Sequence, residues 1–447
     1  MINRHVFREY DVRGVVGKDL NEEFVFNLGR AIGTYARRKK IKNMTVGRDC
    51  RLSSDAYHHS IIKGLNAAGI TTIDIGLCAT PMLYFSVRYL RVGGGIMITG
   101  SHNPPDFNGF KICIGHGTIY GDQIQELRKI MESGQYSKGL SIAKQKDISQ
   151  DYENYLFNGI TMKRKLKVVV DGGNGVGGHF AVPLFKRFGC DVTPIYCDPD
   201  GRFPNHFPDP TVEKNLTELI RQVRKHKADL GLAFDGDADR LGVISDKGEI
   251  IWGDKLLLLF ARHILKEHPG ATIIGEVKCS QVLFDDIQKH SGKAIMWKAG
   301  HSLIKAKMKE TSALLGGEMS GHFFFADRYF GYDDAIYAAL RLLEILSRTE
   351  KKISELFADV PKTYSTPEIR VDCPDSKKIK VVNQIKKQFE NTPGLVDIDG
   401  IRIPFPDGWA LVRSSNTQPV IVLRFEASSP KSLQEIRGKI EPLLVMK

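Results

Sequence analysis

A chain of 447 residues is too long for one ordinary core, and at roughly 100–150 residues per domain it calls for three or four. Its 42 % hydrophobic and 26 % charged residues are those of a soluble globular protein. No apolar run approaches the ~20 residues of a membrane span, and the opening MINRHVFREYDVRG lacks the apolar stretch of a secretion signal, so neither insertion nor export is expected. Seven scattered cysteines, an odd number without a CxxC pair, fit reduced thiols in a cytoplasm. The net charge of +12 rests on short basic clusters beside helices and strands. Solvated faces explain these more simply than a nucleic-acid surface, and a basic field equally suits a small anionic substrate.

In chain order, Phe7 to Gly14 (FREYDVRG) packs arginines and acids around aromatics without helical or strand period, and reads as a salt-bridged loop. An amphipathic helix follows, with Asn21 as N-cap, Glu22 and Glu23 in the first turn, and Phe24, Leu28, Ile32 and Tyr35 on one face. Residues 43–76 read as a strand, a helix and a second strand. Residues 166–197 and 271–300 repeat that plan, each of the length a parallel, right-handed βαβ unit needs. Three similar α/β domains with mixed sheets are the economical inference, with boundaries near residues 148, 250 and 361. Beyond 362 the pattern becomes antiparallel: Thr363 to Val371 extended, Ser376 to Glu390 helical, and strands over Ala410 to Arg413 and Val420 to Glu426. A smaller α+β domain, hinged as a lid over a central cleft, is expected there.

Four polar turns interrupt this pattern. At Gly93 to Lys111 an apolar strand (Ile96 to Ile98) ends in Thr99-Gly100-Ser101-His102-Asn103-Pro104-Pro105, which sets Ser101 at a strand tip. Asn108-Gly109 is a turn signal, and Phe110 to Ile114 a return strand carrying Lys111 at its start. Asp235-Gly236-Asp237-Ala238-Asp239-Arg240 follows the apolar strand Leu230 to Phe234. Three carboxylates at i, i+2 and i+4 repel one another unless a cation gathers them, and hard oxygen ligands suit Mg²⁺ or Ca²⁺. An EF-hand is excluded by Arg240 and Asp246 at the places of its glycine and glutamate. Gly317-Glu318-Met319-Ser320-Gly321-His322 offers a carboxylate able to accept from two adjacent hydroxyls, as in a sugar diol; Gly300-His301-Ser302 upstream is a second small polar turn. Arg413-Ser414-Ser415-Asn416-Thr417-Gln418-Pro419 supplies donors and no carboxylate, the composition of a phosphate cradle. A fifth stretch, Gly173-Asn174-Gly175-Val176-Gly177-Gly178, matches GxGxxG after the strand Val168 to Val170. It raises an oxidoreductase hypothesis, but with no second feature of hydride chemistry a glycine turn that lets strand and helix pack closely is the preferred reading.

Taken jointly and in this order, TGSHNPP, DGDADR, GEMSGH and RSSNTQP, with the FREYDVRG opening, resemble the α-D-phosphohexomutase superfamily, most closely its phosphomannomutase/phosphoglucomutase branch. The resemblance spans the whole chain. It implies four domains around a cleft, 1–148, 149–250 and 251–361 being α/β and 362–447 being α+β of the TATA-box-binding-protein type, each contributing one motif. By the same resemblance Ser101 would carry phosphate, with Ser101, Asp235, Asp237 and Asp239 holding Mg²⁺. Tyr10, Lys278, Gly300, His301, Glu318, Ser320, Arg413, Ser415, Asn416 and Thr417 would bind sugar and phosphate. Arg13, His102, Lys111, Arg240 and His322 would share proton transfer and phosphate contact, and which of Lys111, His102 and His322 is acid or base stays open. Met319 and Ala238 weigh against the glucosamine branch, which remains an alternative.

The implied chemistry is exchange of phosphate between Ser101 and a hexose monophosphate of glucose or mannose. It passes through hexose 1,6-bisphosphate (glucose 1,6-bisphosphate), which also serves as activator and must turn over between half-reactions. The implied partners are small sugar phosphates, with no nucleic acid and no membrane, and a monomer is expected although a dimer stays open. Two rivals are a non-catalytic sugar-phosphate binder on the same fold and an aspartyl-phosphate enzyme using Asp235. If the glycine loop is structural, titration with NADH or NADPH should give no binding at ordinary cofactor concentrations; micromolar affinity would restore the oxidoreductase hypothesis.

Overall fold

The computed structural model describes residues 3–415 and 419–444. Four sheets follow one another along the chain. In the first, the strands run Val12–Val15, Phe107–Ile114, Gly94–Ile98, Asn43–Arg48, Thr71–Leu77 and Ala143–Gln145, and Gly117–Thr118 pairs beside Phe107–Ile114. Pairing is parallel from Gly94–Ile98 outward to Ala143–Gln145 and antiparallel on the other side. The second sheet runs Ile250–Ile251, Leu241–Ser245, Leu230–Phe234, Lys167–Asp171 and Asp191–Ile195, and the third Lys293–Trp297, Thr272–Glu276, Leu315–Gly317 and Phe323–Phe325. Each keeps parallel strands on one side and one or two antiparallel strands on the other. The fourth sheet is wholly antiparallel, with two long helices, Asp375–Phe389 and Pro430–Ile440.

Local chemistry explains much of this. The central strands Gly94–Ile98 and Leu230–Phe234 are buried along their whole length, as continuous apolar runs in parallel sheets must be. All three expected βαβ units form, with parallel strand pairs over 43–77, 167–195 and 272–297. The first long helix, Glu22–Arg38, starts at Asn21, whose side chain accepts from the Phe24 backbone N–H. Its buried face includes Leu28, Ile32 and Tyr35. Phe24 is half-buried and packs at the edge of the same cluster, its ring tilted against Phe7. Two readings need correction. Asn108-Gly109 is not a turn but the start of the long return strand, opposite Gly14 and Arg13. The Asn108 amide is occupied by the Ser53 and Ser54 hydroxyls, and a Cβ on Gly109 would lie 2.7 Å from the Val12 carbonyl. The FREYDVRG opening in turn is not all loop, because Val12–Val15 becomes the edge strand that Gly109 admits.

One constructional rule places the site. Three of the polar motifs are tips of antiparallel hairpins, 99–106, 235–240 and 318–322 each joining a strand to its antiparallel neighbour, and the fourth falls between the antiparallel strands Gly408–Ser414 and Val420–Ala427, with 416–418 outside the described residues. The glycine loop at 172–178 has a different task. A Cβ at Gly175 would lie 2.7 Å from Gly236, one at Gly178 2.6 Å from the Cys197 sulfur, and Pro208 covers Gly173 at 3.0 Å. The glycines therefore let the helix Gly177–Arg187 press against the 235–240 hairpin, and the protein itself fills the space a pyrophosphate would need.

One connected apolar cluster runs through the first three sheets, from Ile75 to Ile353, a second fills the other face of the first sheet around Ile32, Ile96 and Phe110, and the fourth sheet has its own core around Val412, Leu423 and Phe425. The third and fourth sheets meet at a small contact of Val277 with Trp409 and Leu411. Arg402 stitches that seam. Its guanidinium lies 3.7 Å from the Trp409 ring centroid and donates to the Val277 and Cys279 carbonyls, both at 2.7 Å. Arg402→Ala should therefore cost about 2–4 kcal/mol, read as a lower urea midpoint and faster proteolytic cleavage between 358 and 368; an unchanged midpoint and cleavage rate would show that docking rests elsewhere.

Candidate active site

The Ser101 hairpin is held from beneath by a buried arginine. Arg51 donates to four backbone carbonyls of the 99–107 segment, those of Ser101 (2.8 Å), Asn103 (2.6 Å), Pro104 (2.6 Å) and Phe107 (2.9 Å). Asp49 completes the support, taking the Arg51 and Gly100 N–H groups and the Ser54 hydroxyl. Ser101 itself sits at φ +49°, a left-handed conformation rare for a residue with a side chain. The Thr99 hydroxyl receives its N–H. The Ser101 hydroxyl, buried with only 2 % of the residue exposed, donates to Asp235 at 2.7 Å and lies 3.1 Å from His102 Nδ1. His102 is kept neutral: burial, then Arg240 and Arg13, push its pKa well below the usual imidazole value. Arg13 reaches over the same loop to Asn103 and is paired with Asp11.

The acid hairpin comes in against Ser101. Asp235, Asp237 and Asp239 are each fully buried, with carboxylate oxygens within 4.8 Å of one another. Burial and the two neighbouring acids push Asp235 well above the usual carboxylate range. Lys111 is clamped between Asp237 and Asp239, and Thr80 donates a further hydroxyl to Asp237. Burial works against the charge on Lys111, but those two acids keep its pKa above the ordinary lysine value, and Lys111 in turn keeps Asp237 low despite its burial. Single oxygens of Asp237 and Asp239 remain buried without a hydrogen-bond partner among the described residues. An all-oxygen set with orphaned lone pairs is the donor chemistry of a hard divalent cation, so these residues fit Mg²⁺.

A continuous path of contacts leads from here to the other two hairpins. Arg240 donates from Nε to His322 Nε2 at 3.0 Å. His322 Nε2 is 3.9 Å from Glu318, and Glu318 accepts the Gly300 N–H at 2.7 Å. Tyr10 from the first domain donates to the Ala299 carbonyl at 2.8 Å and packs edge-on to His301. Ala299 N–H and Arg413 share Asp399. Lys278 reaches Glu368 and Glu276; burial disfavours its charge, and Glu276, Glu368 and Glu318 together keep it raised. Ser320 lies half-buried on the turn after Glu318. Ser415 pairs its N–H with Val420 and its carbonyl with Lys378. Asn416 and Thr417 lie outside the described residues.

The phosphate-cradle motif carries no acid of its own, but the fold supplies one: Asp399 pairs with Arg413 at 3.0 Å. Arg51, Thr80, Glu276, Asp333 and Asp399 escaped the sequence reading. Asp49 and Arg51 follow the strand Asn43–Arg48 closely enough that their charges, just past an apolar run, were a signal. Asp333, fully buried, pairs with Lys305, His301 and His322. Burial opposes its charge, yet Lys305 and the two histidines hold its carboxyl well below the usual range.

Comparison with known proteins identifies the family. Four family models match in succession, phosphoglucomutase/phosphomannomutase alpha/beta/alpha domains I (4–138), II (150–248) and III (252–364), and the C-terminal domain (368–443). A phosphoglucomutase of Neisseria meningitidis is 45 % identical over 448 residues, covering 99 % of this chain and 97 % of its own. A phosphomannomutase/phosphoglucomutase of Pseudomonas aeruginosa is 46 % identical over 433 residues, 97 % and 94 % of the two chains. The crystal structure of a phosphoglucomutase/phosphomannomutase family protein from Burkholderia thailandensis, 42 % identical, superposes with a TM-score of 0.94 over 99 % of this chain and 98 % of that one. Matched along almost its entire length and in all four domains, the chain belongs to the phosphoglucomutase/phosphomannomutase family.

Proposed function

We propose that the protein interconverts the 1-phosphates and 6-phosphates of glucose and mannose, with phosphate carried on Ser101 and a hexose 1,6-bisphosphate as intermediate. The observation that carries this reading is the Ser101 hydroxyl, presented on a rigid left-handed turn between Asp235 and His102. A serine hydroxyl is a poor nucleophile, so storing the phosphate there and passing it to the free hydroxyl of a hexose monophosphate divides the task into two displacements. In the first, a bond forms between a sugar oxygen and phosphorus and the bond to the Ser101 oxygen breaks; in the second, the serine takes the phosphate from the other end of the sugar.

The chain's residues divide the remaining work. Lys111, held charged by Asp237 and Asp239, keeps its protons and serves as a fixed cation, which leaves the neutral His102, and His322 beside Arg240, as the candidate proton carriers. Glu318, oriented by the Gly300 N–H, accepts from vicinal sugar hydroxyls, and Arg413 with Lys278 takes the phosphate not being transferred. Mg²⁺ held by Ser101, Asp235, Asp237 and Asp239 would offset the charge of phosphoserine and of the transferring group. The fourth domain, with a core of its own and the arginine motif on its hairpin tip, suits a lid that loosens while the intermediate turns over. The same reading divides the chain at 148, 250 and 361. It places the enzyme in the cytoplasm, where its seven free cysteines would stay reduced; among the described residues no helix is long and apolar enough to cross a membrane.

Three measurements test this. Ser101→Ala should lower turnover by roughly three orders of magnitude or more while leaving sugar-phosphate binding largely intact; near wild-type rates in that variant, with no other phosphorylated residue by peptide mapping, would sink the mechanism. Removing divalent cations with excess chelator should abolish turnover, and Asp235→Asn, Asp237→Asn or Asp239→Asn should weaken Mg²⁺ affinity and rate together. Full activity in chelator would rule the metal out. Glucose and mannose phosphates differ only at carbon 2, and Glu318 reads the shared diol at carbons 3 and 4. Their kcat/KM values should therefore fall within about two orders of magnitude of each other, since an unshared hydroxyl contact is worth only ~1–3 kcal/mol. Glu318→Ala should damage both about equally, whereas a preference beyond about 10⁴-fold would require a dedicated contact at carbon 2.

A further inference from the structure

Three buried polar atoms face one another beside the third hairpin. Asp333 Oδ2 lies 3.2 Å from His322 Nδ1 and 3.6 Å from His301 Nδ1, and among the described residues none of the three makes a hydrogen bond of defined geometry, to one another or elsewhere. Buried polar atoms are costly to leave unmade, so the three are placed to satisfy one another. The other carboxylate oxygen, Oδ1, takes the Lys305 ammonium at 2.9 Å, and Lys305 is itself held 4.4 Å from the Tyr84 ring centroid. The two imidazoles stack at 5.8 Å and 21°, and Phe324 lies 6.3 Å from His322 on a nearly parallel plane. Packing thus sets the ring plane of His322, and Asp333 lies at its Nδ1 edge.

The opposite edge fixes the proton count. Arginine Nε always carries a hydrogen, so the 3.0 Å contact from Arg240 Nε makes His322 Nε2 the acceptor. A neutral imidazole that accepts at Nε2 has its single hydrogen on Nδ1, where Asp333 Oδ2 at 3.2 Å is the nearer carboxylate oxygen and Asp239 Oδ1 lies at 3.6 Å. We propose that Asp333 is a positioning residue for the mutase reaction: it locks His322 in the Nδ1–H tautomer, so that Nε2 presents its lone pair on the Arg240 and Glu318 side of the cleft. The same carboxylate holds His301 in register beneath Tyr10. Asp333 need not touch sugar or phosphate to do this. It acts through the imidazole, as an orienting carboxylate does for any histidine whose working nitrogen depends on what the other nitrogen meets.

This inference rests on the mutase reading in taking His322 as a proton carrier, and its test is chosen to stand apart from that reading. The full-length protein, labelled with ¹⁵N-histidine, gives the tautomer of His322 from long-range proton–nitrogen correlations without substrate, the signal being assigned by its loss in His322→Asn. The expected result is hydrogen on Nδ1 in the wild type; hydrogen on Nε2 would overturn the proposal with no variant needed. Asp333→Ala should move hydrogen toward Nε2 and lower kcat by ~10²-fold with KM within about threefold. Asp333→Asn, which keeps the shape and one acceptor oxygen, should retain the tautomer and recover at least about tenfold of that loss. In the His322→Asn background Asp333→Ala should cost little more; a full additional loss there would show that Asp333 acts through something other than His322. Failure of the mutase reading itself would be read separately, in the turnover of Ser101→Ala.

Discussion

The ammonium of Lys111, buried between Asp237 and Asp239, is the contact on which the rest of the structure depends. It comes from the return strand of the first sheet, and its partners come from the hairpin of the second. Neither half is tolerable alone: three gathered carboxylates repel one another, and a buried lysine without an acid would surrender its proton. Removing one member of such a pair costs on the order of 3–5 kcal/mol. The two domains are therefore locked in one relative position, reinforced by Thr80 donating to Asp237. That lock sets the 2.7 Å approach of Ser101 to Asp235, because Ser101 stands on the hairpin tip that the Lys111 strand closes and Asp235 stands two residues before Asp237.

From that fixed point the electrostatics of the cleft follow. Arg13, Lys111, Arg240 and Lys278 supply positive charge in a region where burial already penalises charge, and the histidines among them respond by staying neutral. His102 and His301 are both pushed well below the usual imidazole value, first by burial and then by neighbouring cations. The division is useful to phosphate chemistry, since permanent cations bind and shield the phosphate dianion while neutral imidazoles remain free to take or give a proton.

How much of this was legible beforehand depended on the range of the interaction. The four hairpin tips declared themselves, because each breaks an apolar strand with a cluster of small and polar residues: Ser101 after Ile98, Asp235 after Phe234, Glu318 after Gly317, Ser415 after Ser414. The βαβ units were equally plain from strand and helix lengths. What stayed hidden were groups whose importance is set by what they meet far along the chain. Arg51 looks like any surface arginine until four carbonyls some 50 residues downstream close around it. Asp399 sits in a turn with nothing to mark it except Arg413, which only the fold brings near. Asn108-Gly109 misled for the complementary reason. It carries a strong local turn preference, and the neighbouring strand Val12–Val15 and the Ser53 and Ser54 hydroxyls override it.

The bond from Tyr10 to Ala299 spans 289 residues of chain. Contacts of that separation raise the entropy that must be lost before they form, and they slow folding. Translation at about 5–20 residues per second would leave the first domain complete but the cleft unfinished for tens of seconds, its basic hairpin exposed until the third domain emerges. Closure then waits for the last hairpin, Gly408–Ser414 with Val420–Ala427, to dock through Arg402. The order of the domains along the chain thus bears on the order of assembly, and the cleft is complete only once the hairpin of the fourth sheet has formed.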